Sequence, residues 1–310
     1  MNLKNKNVCV TGASGFIGTF LCEALIQNGA NVTAVDTILS DNLKRVQSNS
    51  NEKLKFVKED ILKIDNMRSI LVDMQIMIHL ASVASPRVCN SNAEVGYQMN
   101  VDGTKKILEY SHHVSRFIFP SSQAVYGEHE EKIQKESDNT NGQDLYSLTK
   151  IMGESLCKAY NYMFKMPYTI LRFGNTYGHY QASNYLIPSL ILQGINEGKI
   201  EVWDPRIIRD FIFVEDTINA IIQALKNEST INQTINVGTG VGYSIKEVVE
   251  MISNQLDVPW KDLQKYQDVP ISLILDNSKI TQLTGWKPNY SIEQGLEKTV
   301  NYYKSISSEK

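Results

Sequence analysis

Residues 8–18 read Val-Cys-Val-Thr-Gly-Ala-Ser-Gly-Phe-Ile-Gly, and this stretch decides the fold. Val8 to Thr11 form a short β-branched apolar run. Gly12, Gly15 and Gly18 follow at intervals of three, and an amphipathic pattern then runs from Phe16 to Gln27. A strand feeding a tight turn and then a helix needs a residue free to take positive φ. A pyrophosphate needs close approach to backbone, and glycine meets both needs. The helix N-terminus offers unpaired N–H groups and partial positive charge to phosphate. Three glycines in this pattern are weak alone, but a second strand pattern, Val32 to Asp36, ends on a carboxylate 18 positions beyond Gly18. An acid there accepts hydrogen bonds from a ribose diol and repels a 2′-phosphate, which favours NAD over NADP.

Outward from that turn, strand patterns recur at Lys55–Lys58, Ile76–Ala81, Arg116–Ser121 and Tyr168–Phe173. Helical patterns lie between them at Met67–Val72, Ala93–His113 and Tyr146–Tyr162. This alternation predicts βαβ units, a doubly wound parallel sheet of the Rossmann type, and ligand binding at the strands' carboxyl edge. After Gly174 the rhythm breaks, with Pro188, Pro205, Pro259, Pro270 and Pro288 as punctuation. Helices are expected at Glu215–Lys226 and Ser244–Leu256 and a strand at Thr234–Val237, with a frayed SISSEK tail. The expected organisation is a dinucleotide-binding domain over 1–174, with segments returning from roughly 210–240, and a smaller substrate-binding α/β domain mainly over 175–310.

Composition excludes several classes. The 310 residues are 42% hydrophobic and 21% charged, with net charge −3 and the cations dispersed along the chain, so no nucleic-acid partner is expected. No window reads as a membrane span and the N-terminus is not a signal peptide. Cys9, Cys22, Cys89 and Cys157 form no metal knuckle or redox pair; no metal site is expected, and the thiols suit a reducing cytoplasm.

The second motif is Tyr146-Ser-Leu-Thr-Lys150. On a helix, positions i and i+4 share a face, so a phenol and an ammonium are neighbours. A phenol with its ordinary pKa near 10 is a poor base at neutral pH, and a nearby cation favours the phenolate. Lowering it by about three units corresponds to roughly 4 kcal/mol, plausible for a desolvated pair helped by a positive nicotinamide. The preceding strand runs into Pro120-Ser-Ser-Gln-Ala-Val-Tyr-Gly127 and brings Ser121 and Ser122 to the sheet's carboxyl edge, where a serine hydroxyl can orient a substrate alcohol. Asp60 reads equally as a surface turn acid or as a neighbour of the adenine.

In chain order these stretches resemble the extended short-chain dehydrogenase/reductases, specifically the NAD-dependent epimerase/dehydratase branch acting on nucleotide sugars. The matching segments are GASGFIG, Asp36, Asp60-Ile61, His79-Leu80-Ala81, NVDGT from Asn100, SSQAVYG, YSLTK, LRFGNTYG from Leu171, IRDFIFVED from Ile208 and LTGWKP from Leu283. The resemblance implies Tyr146 as acid/base, Lys150 as its tuner and ribose ligand, and Ser122 as third member. It implies a cofactor site of Gly12, Gly15, Phe16, Ile17, Gly18, Asp36, Asp60, Ile61, Leu80, Ala81 and Asn100 with Tyr146 and Lys150. It implies substrate contacts at Ser85, Ser122, Tyr146, Asn175, Arg209 and Lys265. Asn175 as a turn former and Arg209 as a surface ion pair stay open.

Departures narrow the chemistry. Family hexose 4,6-dehydratases carry an Asp-Glu pair after the catalytic hydroxyl, and here Gln123 and Ala124 stand there, unable to move protons. UDP-glucuronate decarboxylases carry Glu at the Ala124 slot. The late Arg-x-Gly-Asp of many epimerases appears as Lys265-Tyr-Gln-Asp268, where lysine lacks the bidentate fork. The loop after His79 is about one residue short. The leading expectation is 4-epimerisation of a nucleotide sugar, with a UDP-sugar the leading choice, through a 4-keto intermediate. The runners-up are a 4-ketoreductase or dehydrogenase and a catalytically silent NAD-binding regulator. Two amphipathic helices, Val95–His113 and Tyr146–Tyr162, suggest a homodimer.

Overall fold

A computed structural model describes residues 1–63, 67–127, 133–266 and 272–308. Seven parallel strands make the central sheet: β1 (Asn7–Thr11), β2 (Asn31–Asp36), β3 (Leu54–Lys58), β4 (Ile76–His79), β5 (Arg116–Ser122), β6 (Tyr168–Phe173) and β7 (Gln233–Val237). Their order is β7-β6-β5-β4-β1-β2-β3. Strand order therefore reverses between β1, which pairs with β2, and β4, and a crevice opens there at the carboxyl ends. This is the expected doubly wound α/β architecture.

The period-2 geometry of the strands divides the core between the sheet's two faces. Val8 and Val10 pack on one side with Leu21 and Leu25 of the helix Phe16–Gln27 and Ile221 of the helix Val214–Lys226. Cys9, Met77 and Phe117 pack on the other with Ile107, Leu108 and Cys157. Every residue of β4 and β6 is buried, as expected of strands covered on both faces. All four cysteines are buried free thiols. Among the described residues no helix is long and apolar enough to cross a membrane.

Two expectations are corrected. The segment read as one helix from Ala93 to His113 is three pieces: an α-turn Ala93–Tyr97, a π-helical stretch Gln98–Asp102, and the helix Gly103–Ser111. The π stretch holds Asn100, whose side chain is pinned to the loop after β4 (below), and such insertions recur at functional sites. The tail expected to fray is helical through Ser308, within Ile292–Ser308. Its Tyr303 is buried and donates to the Gln181 carbonyl, and Ile306 rests on the core.

Beyond β6 the chain builds shorter units. Asn175–Tyr177 pairs with Phe211–Phe213, and Ile200–Val202 pairs with Trp260–Asp262. Ile208–Arg209 lies between Tyr243–Ser244 and Ser272–Leu275. The helices Leu186–Glu197, Ile245–Leu256 and Ile292–Ser308 pack on one another.

The helix Leu145–Phe164 begins with a capping box. Asp144 accepts from the Ser147 N–H at 2.7 Å, and the Ser147 hydroxyl lies 3.2 Å from the Asp144 N–H. A buried ion pair then locks this helix to the sheet. Arg172 of β6 donates to both Glu154 oxygens at 2.8 and 2.7 Å, and Ser121 donates to Oε1 at 2.7 Å. Both charges are almost fully buried, so removing one partner strands the other in low dielectric. Arg172→Met should therefore destabilise the protein by about 3–5 kcal/mol in urea unfolding, and Glu154→Met/Arg172→Met should recover much of that loss. A single variant as stable as the parent would contradict this role.

Candidate active site

The switch-point crevice is a cleft of about 1180 Å³, somewhat above the usual range for a single small ligand. Its floor is the glycine turn. Gly12 has φ +69°, and a Cβ there would fall 2.7 Å from the Ala81 nitrogen. A Cβ on Gly18 would meet the Gly12 carbonyl oxygen at 2.2 Å. The turn thus lies flat against the β4 exit only with these glycines. Gly15 caps the helix Phe16–Gln27 without any side-chain hydrogen bond, and no acid occupies the first turn, so the helix's positive end is left for an anion.

Asp36, at the end of β2, accepts from the Ser14 N–H at 2.9 Å and the Thr37 N–H at 2.8 Å, which orients its carboxylate at the cleft wall. Gly12, Gly15, Phe16, Ile17, Asp36, Asp60, Ile61, Leu80 and Ala81 all line the cleft, with Gly18 beneath the turn. The Asp60 carboxylate accepts from the Leu62 N–H at 2.9 Å, closing a local turn. A cradle that a single Cβ would fill, an uncapped helix end and a strand-end carboxylate together fit NAD.

The loop after β4 is held from behind. His79 is buried between Thr11 Oγ1 at 2.8 Å and Thr104 Oγ1 at 3.1 Å. Thr104 donates its own proton to the Asn100 carbonyl at 2.6 Å, so it accepts from His79 Nε2–H, and Nδ1 accepts from Thr11. Burial, then the Lys150 charge, push the imidazole down to about 3. Asn100 accepts from the Val83 N–H at 2.7 Å and donates to the Val83 carbonyl at 3.2 Å and Thr149 Oγ1 at 3.0 Å. It is buried behind the cleft and fixes the loop there.

Tyr146 and Lys150 share the cleft-facing side of their helix, both more than nine-tenths buried. The ammonium lies 5.8 Å from the phenol ring centroid and donates to the Pro120 carbonyl at 3.1 Å and to Ser82 Oγ at 3.5 Å. Ser122 hydrogen-bonds the phenol, which favours its ionised form, yet burial dominates and pushes Tyr146 up to about 12. Burial also pushes Lys150 down to about 8. Both groups are desolvated, and burial opposes the charged form of each.

Beside this trio, Asn175 Oδ1 accepts from Gln123 Nε2 at 2.6 Å, and Arg209 lines the cleft with its guanidinium bonded to the Ile208 carbonyl at 2.8 Å. Sequence reasoning missed Asp210. Fully buried, it accepts from Thr239 N–H and Oγ1, Gly240 N–H and Leu275 N–H, at 2.7 to 3.3 Å, and so fastens Arg209 beside the ends of β6 and β7. A Cβ on Gly238 would meet Asp210 Oδ2 at 2.4 Å, so the Gly-Thr-Gly of 238–240 was the available signal. Ser82 and Tyr185 also line the cleft without having been singled out.

Two expected substrate contacts are not among the cleft-lining residues, although Ser85 lies between Ala84 and Pro86, which are. The Ser85 hydroxyl accepts from the Val88 N–H at 3.4 Å, capping the short helix Pro86–Ser91. Lys265 is exposed, its ammonium 5.0 Å from the Trp203 ring centroid. Gln267 and Asp268 of its motif lie outside the described residues.

A glycine turn on a parallel sheet, joined in one cleft to a Ser-Tyr-Lys trio, defines a dinucleotide-dependent short-chain dehydrogenase/reductase site. The profile of the NAD dependent epimerase/dehydratase family matches residues 8–238, and the chain belongs to that family. It is 31% identical over 316 residues to an uncharacterized UDP-glucose epimerase of Bacillus subtilis, covering 96% of this chain and 98% of the relative. Its structure resembles that of UDP-glucuronic acid 4-epimerase from Bacillus cereus in complex with UDP-glucuronic acid and NAD. The TM-score is 0.89 at 28% identity, covering 97% and 99% of the two chains. It also resembles UDP-N-acetylglucosamine 4-epimerase from Methanobrevibacter ruminantium in complex with UDP-N-acetylmuramic acid, with a TM-score of 0.88, 30% identity and coverage of 98% and 99%.

A pH dependence follows from His79. Its folded value near 3 lies below the unfolded value near 6.5, so between those limits the unfolded chain binds the extra proton. Its contribution to stability is complete above pH 6.5 and is lost as pH falls toward 3, at up to about tenfold in the folding constant per pH unit. Denaturant titrations from pH 7 to 4 should show a shallower decline in His79→Gln than in the parent, and identical slopes would contradict the buried neutral assignment.

Proposed function

We propose that this protein is an NAD-dependent 4-epimerase of a nucleotide-linked hexose, most simply a UDP-hexose. The observation that carries this reading is the composition of the reacting end of the cleft. Ser122, Tyr146 and Lys150 supply one acid/base unit, while Gln123 and Ala124 fill the two slots after the serine with groups that cannot transfer protons. One acid/base and a reversible hydride carrier suffice for inversion at a carbinol carbon and do not suffice for loss of water across C5 and C6.

Gly12, Gly15, Asp36 and Lys150 would hold NAD, which supplies a hydride acceptor at C4 of the sugar and returns the same hydride. Ser122 orients the C4 hydroxyl. Tyr146 takes the hydroxyl proton as the carbinol is oxidised, and Lys150 offsets the charge on the phenolate. After the 4-keto sugar turns over, Tyr146 gives the proton back to the C4 oxygen, so the enzyme ends as it began. Asn175 and Arg209, which also line the cleft, suit the nucleotide's diphosphate. The activities named for the relatives above, all on UDP-sugars, support the nucleotide class.

The same reading includes a homodimer. Val95, Tyr97, Leu148 and Met152 are exposed apolar residues on the packed segments Ala93–Tyr97 and Leu145–Phe164, a face suited to a second copy. Its setting is a reducing cytoplasm, which suits the four unpaired thiols.

NAD-loaded protein incubated with UDP-glucose, UDP-N-acetylglucosamine and their 4-epimers should interconvert at least one pair without net NADH. Tyr146→Phe should lose roughly 10²–10⁴-fold in turnover yet retain NAD. Absence of interconversion in every pair, or one NADH formed per sugar consumed, would overturn the reading.

A further inference from the structure

The segment that leaves the strand Asn175–Tyr177 carries Tyr180 at φ +67°, a left-handed backbone that glycine adopts freely and a bulky residue only at a cost. Such outliers persist only where their surroundings enforce them, and they gather at ligand-binding sites. The base of the segment is fixed by its neighbour. Gln181 donates from Nε2 to the Thr176 carbonyl at 3.0 Å, and its own carbonyl accepts from Tyr303 of the helix Ile292–Ser308. The Tyr180 ring reaches from there to the first two helices of the chain. It stacks on Phe20, with centroids 5.3 Å apart and planes at 29°, and its hydroxyl accepts from the exposed Arg45 guanidinium. The rings of His179 and Tyr302 meet it edge-on at 4.9 and 5.1 Å.

Both distant partners belong to the chain that shapes the phosphate turn. Phe20 stands one helical turn beyond Phe16, in the helix whose uncapped N-terminus is left for an anion. Arg45 lies on the helix Asp41–Ser48, which is tied to the same turn. Its N-cap Ser40 donates its N–H to Ser14 Oγ at 3.3 Å, and the Ser14 hydroxyl donates to the Ile38 carbonyl at 2.6 Å. Tyr180 lines the cleft together with Ser14, Gly15, Phe16 and Asp36. A ring that lines the cleft and is gripped at its hydroxyl by a surface cation is a rim of the cofactor site.

We propose that Tyr180 and Arg45 are positioning residues that form a clasp at the rim of the NAD site and slow the cofactor's departure. This rests on the NAD site alone. The 4-epimerase reading gives it a use, since NAD that regains its oxidised state in every cycle gains nothing by leaving. Stacking on Phe20 holds the ring by apolar contact. The guanidinium–phenol bond is charge-assisted, yet it lies at the surface where water competes for both groups. Its loss therefore costs the fold little and shows in the rate at which NAD leaves.

The test is exchange of bound radiolabelled NAD against excess unlabelled NAD. It compares the parent with Tyr180→Phe, which keeps the ring and loses the hydroxyl, with Arg45→Met, and with the double variant. The melting temperature of each cofactor-free protein is measured alongside. Sugar turnover enters neither readout, so failure of the 4-epimerase reading leaves the test intact. Each single variant should release NAD about tenfold faster, the size expected for one lost hydrogen bond to a charged group. The double variant should release it no faster than the singles, because both substitutions remove the same bond. The cofactor-free melting temperatures should stay within about 2 °C of the parent. Parental release rates in both single variants, or additive acceleration in the double, would overturn the assignment. Faster release with a clearly lowered melting temperature of the cofactor-free protein would make the pair a brace of the fold, and would overturn it equally.

Discussion

The proposed chemistry depends on a phenol buried beside a buried ammonium. Burial makes the Tyr146 proton harder to remove and the Lys150 proton easier to lose than in water. The pocket is therefore poised in the wrong direction for base catalysis on its own. A positive charge added beside the phenol, as an oxidised nicotinamide carries, acts at full strength in the same low dielectric that opposes ionisation without it. On the proposed reading, desolvation would couple the acid/base to the cofactor, the phenol becoming a base once the hydride acceptor is in place.

Such coupling demands that several chain segments hold position, and the fold supplies this with buried polar ties. Glu154, one turn beyond Lys150, binds Arg172 of β6 and Ser121 beside Ser122, which ties helix and strand together. His79 joins the end of β1 to the helix Gly103–Ser111, and Asn100 holds the loop that brings Ser82 to Lys150. Asp210 fastens the neighbouring Arg209. Each tie gathers sequence-distant segments at the sheet's carboxyl edge, where the strand-order reversal leaves space.

Much of the sheet and the cofactor half was legible because its signals are local. Gly12 and Gly18 announce a turn no other residue fits, Asp36 closes a strand, and Tyr146 and Lys150 declare a shared helix face by spacing alone. What escaped depends on contacts between distant segments. The π-helical stretch around Asn100 arises from a side chain reaching back to Val83, which no periodicity encodes. Asp210 looks like a strand acid until Thr239 and Leu275 arrive around it. Ser85 and Lys265 were placed by likeness to a motif; locally, one caps a short helix and the other lies over an exposed tryptophan. The sign of the Tyr146 shift was also unreadable, since burial is a property of the whole cleft.

The most direct measurement is ultraviolet difference titration of tyrosinate, recorded with and without bound NAD and referenced to Tyr146→Phe. One tyrosine, missing in Tyr146→Phe, should ionise only at strongly alkaline pH in the empty protein and at distinctly lower pH once NAD is bound. A Tyr146 signal that titrates at the same pH in both states would contradict the account.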